Sequence, residues 1–349
     1  MPIIITDEDA ARLLSIPEAI EAMRVAFRDL AEGRAVNPPR LRYGIDTPDP
    51  GRRYTANIHA GAVASYRVAC VRAGSNFTVA ANDPQRKALA DPDAPNWTII
   101  VLYDLVTGEP LAFMHESYLS GLRVGATSAL AVAEAARQDA SVLGLYGTGH
   151  QALPNCRAIC AVRPIERVQV YSPNPAHRDV FVRRMAGEPV EVIAVDDPRA
   201  VVRGAHVVCC ATNSKQPVLD GDWLEPGQMV ITIANSDVLN VRREVDEKTF
   251  ARAGDIIIND WDSVTANRQV ELLEPIEKGL VKREHVHTLG DLVAGKAKLR
   301  ADPDAIVYYK NNTGLAMQFA ACGAIIHRKL AAEGTVRTIP RDWFASGRS

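Results

Sequence analysis

The stretch that decides the fold is Val142-Leu143-Gly144-Leu145-Tyr146-Gly147-Thr148-Gly149-His150-Gln151-Ala152. An apolar strand runs into a glycine turn, and the turn opens a helix. The turn has the form G-x-G-x-x-A, in which each small residue has a separate task. Gly147 permits the tight turn, Gly149 lets the backbone approach a pyrophosphate, and Ala152 keeps the helix close to the sheet. Amides at the start of that helix bind phosphate through their N–H groups and the helix dipole. Gly147, Thr148, Gly149, His150, Gln151 and Ala152 are therefore the first candidate cofactor-binding residues. The same glycine pattern also occurs in structural turns, so its neighbourhood decides the matter.

That neighbourhood alternates strand with helix. Apolar runs at 141–146, 167–172, 190–195, 206–211, 229–234 and 255–259 read as strands, with helical segments such as 197–203 between them. Short apolar strands separated by helices predict a parallel sheet covered on both faces. Residues 139–301 are thus expected to form a Rossmann-type doubly wound α/β domain. Before it, Thr6 with Asp9 and Ser15 with Glu18 are capping patterns, and Pro17 suits a first helical turn. Ile20, Met23, Phe27 and Leu30 make a helical stripe that stops at Gly33. Strand-like runs follow at 67–71 and 97–103, separated by a loop rich in Asn, Asp and Pro at 82–96. An Ala- and Leu-rich helix is expected at 120–136 and another at about 314–332. Residues 1–138 and 302–349 are expected to form one discontinuous α+β domain into which the parallel sheet is inserted.

The length of 349 residues is comfortable for two domains, and 47% hydrophobic with 23% charged residues fits packed globular structure. Forty Lys and Arg against 42 Asp and Glu leave no charge excess to favour nucleic acid or an acidic membrane surface. The start, MPIIITDEDAARLL, lacks the basic beginning and long apolar core of a signal peptide. No apolar stretch reaches membrane-spanning length. The cysteines lie mostly in apolar runs such as Val207-Val208-Cys209-Cys210, which reads as core filling rather than a disulfide framework. A cytoplasmic protein is the expectation.

The second strand of the nucleotide region ends Val170-Tyr171-Ser172-Pro173-Asn174. An NAD-specific site usually ends this strand with an acid for the ribose diol, and none is present. Ser172, Asn174 and Arg178 are suited to a 2′-phosphate instead, with Arg178 as the charge partner. NADP is the expected cofactor and NAD the alternative. Arg178 can equally be a solvated helix residue.

The chain resembles the ornithine cyclodeaminase/mu-crystallin family over nearly its whole length. The resemblance rests on Leu122-Arg123-Val124-Gly125-Ala126, the Gly-Thr-Gly-His-Gln-Ala turn, Ala234-Asn235-Ser236-Asp237, Asn312-Thr313-Gly314 and Ile339-Pro340-Arg341-Asp342-Trp343-Phe344. It implies a homodimer built through the non-Rossmann domain, with the active site between domains. It also implies a small amino or imino acid as substrate. The discontinuous domain would then serve substrate binding and dimerisation.

The resemblance assigns roles that the residue chemistry supports. Arg123 matches the arginine that holds the substrate carboxylate, and a guanidinium fork binds a carboxylate bidentately. Its rival role is a helix-surface salt bridge. Arg40, after Pro38-Pro39, resembles an N-terminal carboxylate-binding arginine, with Arg34, Arg42, Arg52 and Arg53 close by in sequence; an exposed loop arginine is its alternative. Arg72 falls where the cyclodeaminases carry a lysine, with Arg67 as the rival alignment; this departure speaks against ornithine itself. Asp237 matches the catalytic aspartate, placed to move a proton at the substrate nitrogen. A loop-capping aspartate is its ordinary alternative. His59 stands where cyclodeaminases carry an acid and can bind an acidic group, transfer a proton, or be structural. Thr212, Asn213 and Ser214 follow the fourth strand and are expected on the nicotinamide side. Lys310, Asn311 and Asn312 are expected to close the site from the third segment. His285 and His287 are spaced to lie on one strand face but have no evident third ligand, so no metal is expected.

The reaction so implied is hydride transfer between NAD(P)H and a Cα–N bond beside a carboxylate, with imine or ketimine reduction as first choice. Cyclodeamination is the first rival, weakened by His59 in place of an acid. A small-ligand-binding protein like mu-crystallin is the rival from another class.

Overall fold

The computed structural model describes residues 1–79, 97–236, 241–299, 302–311, 314–334 and 336–343. The expected loop at 82–96, Asp237 and Asn312 lie outside them. Two compact units emerge from the packing. The first comprises Met1–Ser15, Gly33–Ser120 and Leu315–Ser349, the second Ile16–Glu32 and Gly121–Gly314.

The first unit is built on a seven-stranded sheet. Its strands are β1 (Ile3–Ile5), β2 (Ala35–Val36), β3 (Leu41–Asp46), β4 (Arg52–Val63), β5 (Val68–Val79), β6 (Trp97–Asp104) and β7 (Pro110–His115). Their order is β1-β7-β6-β5-β4-β2, with β3 also on β4, and only β1 runs parallel to its neighbour. One face is covered by the helix Ala316–Ala332, against which Cys70, Ile100, Leu102 and Met114 are buried. Gly61 makes that contact possible, because a Cβ there would lie 2.7 Å from the amide nitrogen of Met317. Sequence periodicity reveals β6 and only the start of β5. Strand β5 begins at Val68 because Arg67 turns the chain with a left-handed φ of 57°. The twelve-residue β4 is not among the strands read from sequence, although Tyr54, Ala56, Ile58, Ala60 and Ala62 alternate with Thr55, Asn57, His59 and Gly61 as a half-buried strand does.

The second unit holds an eight-stranded sheet, β10-β9-β8-β11-β12-β15-β13-β14, parallel throughout. Its strands are β8 (Val142–Tyr146), β9 (Arg167–Tyr171), β10 (Glu191–Ala194), β11 (Val207–Cys210), β12 (Met229–Thr232), β13 (Ala253–Ile258), β14 (Val286–Thr288) and β15 (Ile306–Lys310). All six strands expected from sequence are present, with ends shifted by a residue or two. Strands β8, β11, β12 and β15 are buried at every position, as a sheet covered on both faces requires. The strand order reverses at β8 and β11, the position at which doubly wound folds open a crevice at the carboxyl edge.

Three expectations need correction. Residues 197–203 form only a short 3-10 turn, Pro198–Val201, capped by Asp197, because β11 follows closely at Val207 and leaves no room for a longer helix. Residues 306–310, counted above with the discontinuous domain, form β15 between β12 and β13. The helix Ile16–Ala31 packs in the second unit, where the backbone of Phe27 approaches Gly290 of the helix Leu289–Val293. Neither long-range placement leaves a mark in local periodicity.

Candidate functional site

The glycine turn has the geometry its sequence demands. Gly147 has φ of +96°, and a Cβ on it would stand 2.3 Å from the carbonyl oxygen of Ala211. Its amide donates to the Tyr171 carbonyl at 2.8 Å, tying the turn to the end of β9. Gly149 is exposed, and a Cβ there would meet nothing within 4 Å. The helix Ala152–Cys160 begins at Gln151 with no side chain capping its amides and no acid in its first turn. Ala152 is fully buried, whereas Thr148, His150 and Gln151 keep some exposure. An open glycine shelf before an uncapped helix start fits a dinucleotide pyrophosphate.

Gly147→Ala is expected to destabilise the protein by about 3 kcal/mol or more, since the left-handed backbone and the overlap with Ala211 add. Denaturant midpoints measure this, and an unchanged midpoint would contradict the geometry.

Two of the three groups that follow β9 are already engaged. Asn174 caps the helix Pro175–Met185 by accepting from the Ala176 amide at 3.0 Å. Arg178 is buried, donates to the Val195 carbonyl at 2.8 Å and to Asp196 Oδ1 at 2.7 Å, and lies over the Tyr171 ring. It is thus not a solvated helix residue, and its guanidinium ties its helix to the chain leaving β10. Ser172 is buried, next to Tyr171 in sequence.

At the carboxyl ends of β11 and β12 the structure gathers residues that sequence reasoning missed. Glu244 Oε1 accepts from the amide and hydroxyl of Thr212 at 2.7 and 2.8 Å. Glu244 Oε2 accepts from the amides of Ile233 and Ala234 at 2.8 and 2.7 Å. Glu271 Oε1 accepts from the amide of Glu244 at 2.6 Å, and its Oε2 pairs with Lys310 Nζ. Lys310 is wholly buried and also donates to the Ala234 carbonyl at 2.6 Å. Its place is therefore beneath these strand ends, where its charge is spent on Glu271, and not at an accessible surface. Ser214 donates its hydroxyl to the Gln216 carbonyl, and Asn213 is exposed. Gln269 secures the next segment, accepting from the Ser236 amide at 3.2 Å and donating to Asn235 Oδ1 at 2.9 Å.

Arg123 is buried on the helix Tyr118–Ala135. The glycines of its motif are packing devices. A Cβ on Gly125 would lie 2.5 Å from the Pro154 carbonyl oxygen, and one on Gly121 would lie 2.8 Å from Pro154 Cγ. The helix carrying Arg123 is thereby pressed onto the helix that follows the glycine turn. Ser128 bonds Asn155 Oδ1 at 2.6 Å, and Asn311 Nδ2 donates to Ser128 Oγ at 2.9 Å and to the Val124 carbonyl at 3.0 Å. Asn311 thus has a structural task in this unit.

In the first unit His59 and Arg72 face each other across β4 and β5. Both are on the face bearing the helix Ala316–Ala332. His59 Nε2 is 3.1 Å from Asn57 Oδ1, and Arg72 lies over the Phe319 ring. Arg72 donates Nε and Nη2 to Glu116 Oε2 at 3.0 and 2.6 Å, while its buried Nη1 has no hydrogen-bond partner among the described residues. Glu116 was missed; its only signal is an acid directly after an apolar strand. Arg67 is exposed at its turn, away from this group. Arg52 pairs with Asp49 and Arg53 with Asp46, whereas Arg40 is half-buried. His287 pairs with Asp255 at 3.1 Å, and His285 ends a 3-10 turn, so the two do not share a strand face. Among the described residues no cluster of three His, Cys, Asp or Glu could hold a metal ion.

A profile of the ornithine cyclodeaminase/mu-crystallin family matches residues 2–334. An uncharacterized cyclodeaminase of Sinorhizobium fredii is 29% identical over 332 residues, covering 93% of this chain and 95% of its own. A delta(1)-pyrroline-2-carboxylate reductase of Bacillus cereus is 26% identical over 336 residues, covering 95% and 98%. Among solved structures, the Thermococcus litoralis delta(1)-pyrroline-2-carboxylate reductase in complex with NADH and L-proline superposes with a TM-score of 0.83 at 25% identity, covering 97% of this chain and all of the other.

Proposed function

Because the chain belongs to the ornithine cyclodeaminase/mu-crystallin family, we propose that it is an NAD(P)-dependent oxidoreductase of the C–N bond in a small amino or imino acid. The observation that carries this reading is the open glycine turn and uncapped helix start at the carboxyl edge of a parallel sheet. The nearly full-length likeness to a delta(1)-pyrroline-2-carboxylate reductase supports the same chemistry. When bound, the dinucleotide supplies the hydride for the substrate Cα. Arg123 holds the substrate carboxylate, and Asp237 moves the proton at nitrogen. Arg72 offers its remaining Nη1 to an acidic substrate group, with His59 beside it; Arg40 is a further carboxylate ligand, and Asn312 a further contact. Thr212, Asn213 and Ser214 line the nicotinamide side. Lys310 acts through Glu271, as a positioning group.

NADP is the finer reading of the cofactor. It rests on the missing acid at the end of β9, because Arg178 already serves Asp196. A panel of cyclic imines, and of 2-oxo acids with amines, assayed with NADPH and NADH tests both readings. Consumption of reduced cofactor is expected, faster at low NADPH than at low NADH. Equal affinities would remove the NADP reading. Cyclisation of a diamino acid with no net change in reduced cofactor would make the protein a cyclodeaminase, as one relative's name suggests. Ligand binding without any turnover would make it a binder.

The second copy is read from a sheet face whose apolar side chains are exposed. Leu41, Tyr43 and Ile45 on β3, Phe77 on β5, and Trp97 and Ile99 on β6 share that face by register, and all are exposed. Trp97 is 68% and Ile45 64% exposed, and apolar side chains gathered on one exposed face mark an interaction surface. A homodimer through this face is expected in solution. Trp97→Asp with Ile99→Asp should yield a monomer by light scattering; a persisting dimer would place the interface elsewhere. Six free thiols, five of them buried, suit the cytoplasm. Among the described residues no helix is long and apolar enough to cross a membrane.

A further inference from the structure

Glu244 belongs to no motif, yet four donors from two different loops converge on its carboxylate. The ladder between β11 and β12 ends at Cys210 and Thr232, with one further bond from the Ile233 amide to the Cys210 carbonyl. Beyond that point no ladder bond among the described residues joins the two departing chains, and Glu244 takes over. A carboxylate alone suits this position, because it offers two acceptor oxygens and no donor. A glutamine would turn its NH2 toward one pair of donors, and a hydroxyl could serve only one loop.

We propose that Glu244 is a positioning residue for the cofactor end of the sheet: its single carboxylate locks the loops leaving β11 and β12 at a fixed spacing. This rests on the dinucleotide reading above, since those loops form the crevice beside the strand-order reversal. Glu271 and Lys310 are the support, the first holding the Glu244 backbone and the second neutralising Glu271. The charged and titratable groups facing Glu244 are Glu271 and Lys310, with the Cys209 and Cys210 thiols on β11 and the Tyr308 phenol on β15. Burial, and then the charge of Glu271, push the Glu244 carboxyl up to about 7. A proton on either oxygen faces hydrogen-bond donors and breaks the lock on that side.

Hydrogen exchange on the full-length protein reads the lock without requiring activity. In E244Q the amides of Thr212, Ile233 and Ala234 should exchange about tenfold faster or more, with those of the helix Ala152–Cys160 unchanged. E244D keeps the charge but is one methylene short, so one loop should lose protection and the other keep it. Protection in the wild type should fall between about pH 8 and about pH 6, and E244Q should lack this dependence. Turnover of the best imine in E244Q should drop about tenfold or more while NADH affinity, held mainly at the glycine turn, changes about threefold or less. Unchanged exchange in both variants overturns the lock, and faster exchange throughout the unit makes Glu244 a general stability residue. Faster exchange with unchanged turnover overturns the positioning role. A wild type that binds neither NADH nor NADPH defeats the dinucleotide reading instead, whatever the exchange pattern.

Discussion

Asp237→Asn is expected to lower turnover by about 100- to 10,000-fold, the usual contribution of a positioned acid–base group. The substitution nearly preserves shape and removes only the titratable group. The described residues on either side of position 237 are held by other side chains. Ala234 is bound to Glu244, Ser236 donates its amide to Gln269, and Arg242 donates its amide to Ser236 Oγ at 3.0 Å. Losing the carboxylate should therefore leave thermal stability and cofactor affinity nearly unchanged. Single-turnover kinetics and a cofactor titration separate the outcomes. If affinity and stability collapse with activity, Asp237 was holding its segment. If turnover survives, another group such as His59 carries the proton.

Arg123→Lys should reduce kcat/KM by about 30-fold or more, equivalent to about 2 kcal/mol, although the charge is kept. A lysine supplies a compact ammonium and cannot reproduce a two-pronged contact with a carboxylate. The site leaves it little freedom to compensate, because Arg123 is 7% exposed and its helix is pressed onto Pro154 through Gly121 and Gly125. The loss should appear with carboxylate-bearing substrates, while NADH affinity stays near that of the wild type. Near-normal kinetics would return Arg123 to a structural role.

Much of the nucleotide half is legible in the residues themselves. The glycine turn needs specific residues at fixed spacing because the backbone there adopts a positive φ and approaches Ala211 closely, and such demands are local. Buried parallel strands announce themselves as unbroken apolar runs, as in Val207-Val208-Cys209-Cys210. The capping box at Thr6 is readable for the same reason, since Thr6 and Asp9 satisfy each other within one turn.

What sequence alone determined, then, was whatever a few consecutive residues must satisfy among themselves: the turn, six of the eight strands of the parallel sheet and the helix stripes. Tertiary structure decided what depends on partners far along the chain. Strand β15 is apolar wherever it sits, and only pairing with β12 and β13 places it in the sheet. Arg72 acquires its orientation from Glu116, 44 residues on, and Lys310 is paired in the interior by Glu271, 39 residues back. Glu244 gathers Thr212 from 32 residues earlier in the chain. A buried charge must find its compensation wherever the fold supplies it, and no local pattern records where that is.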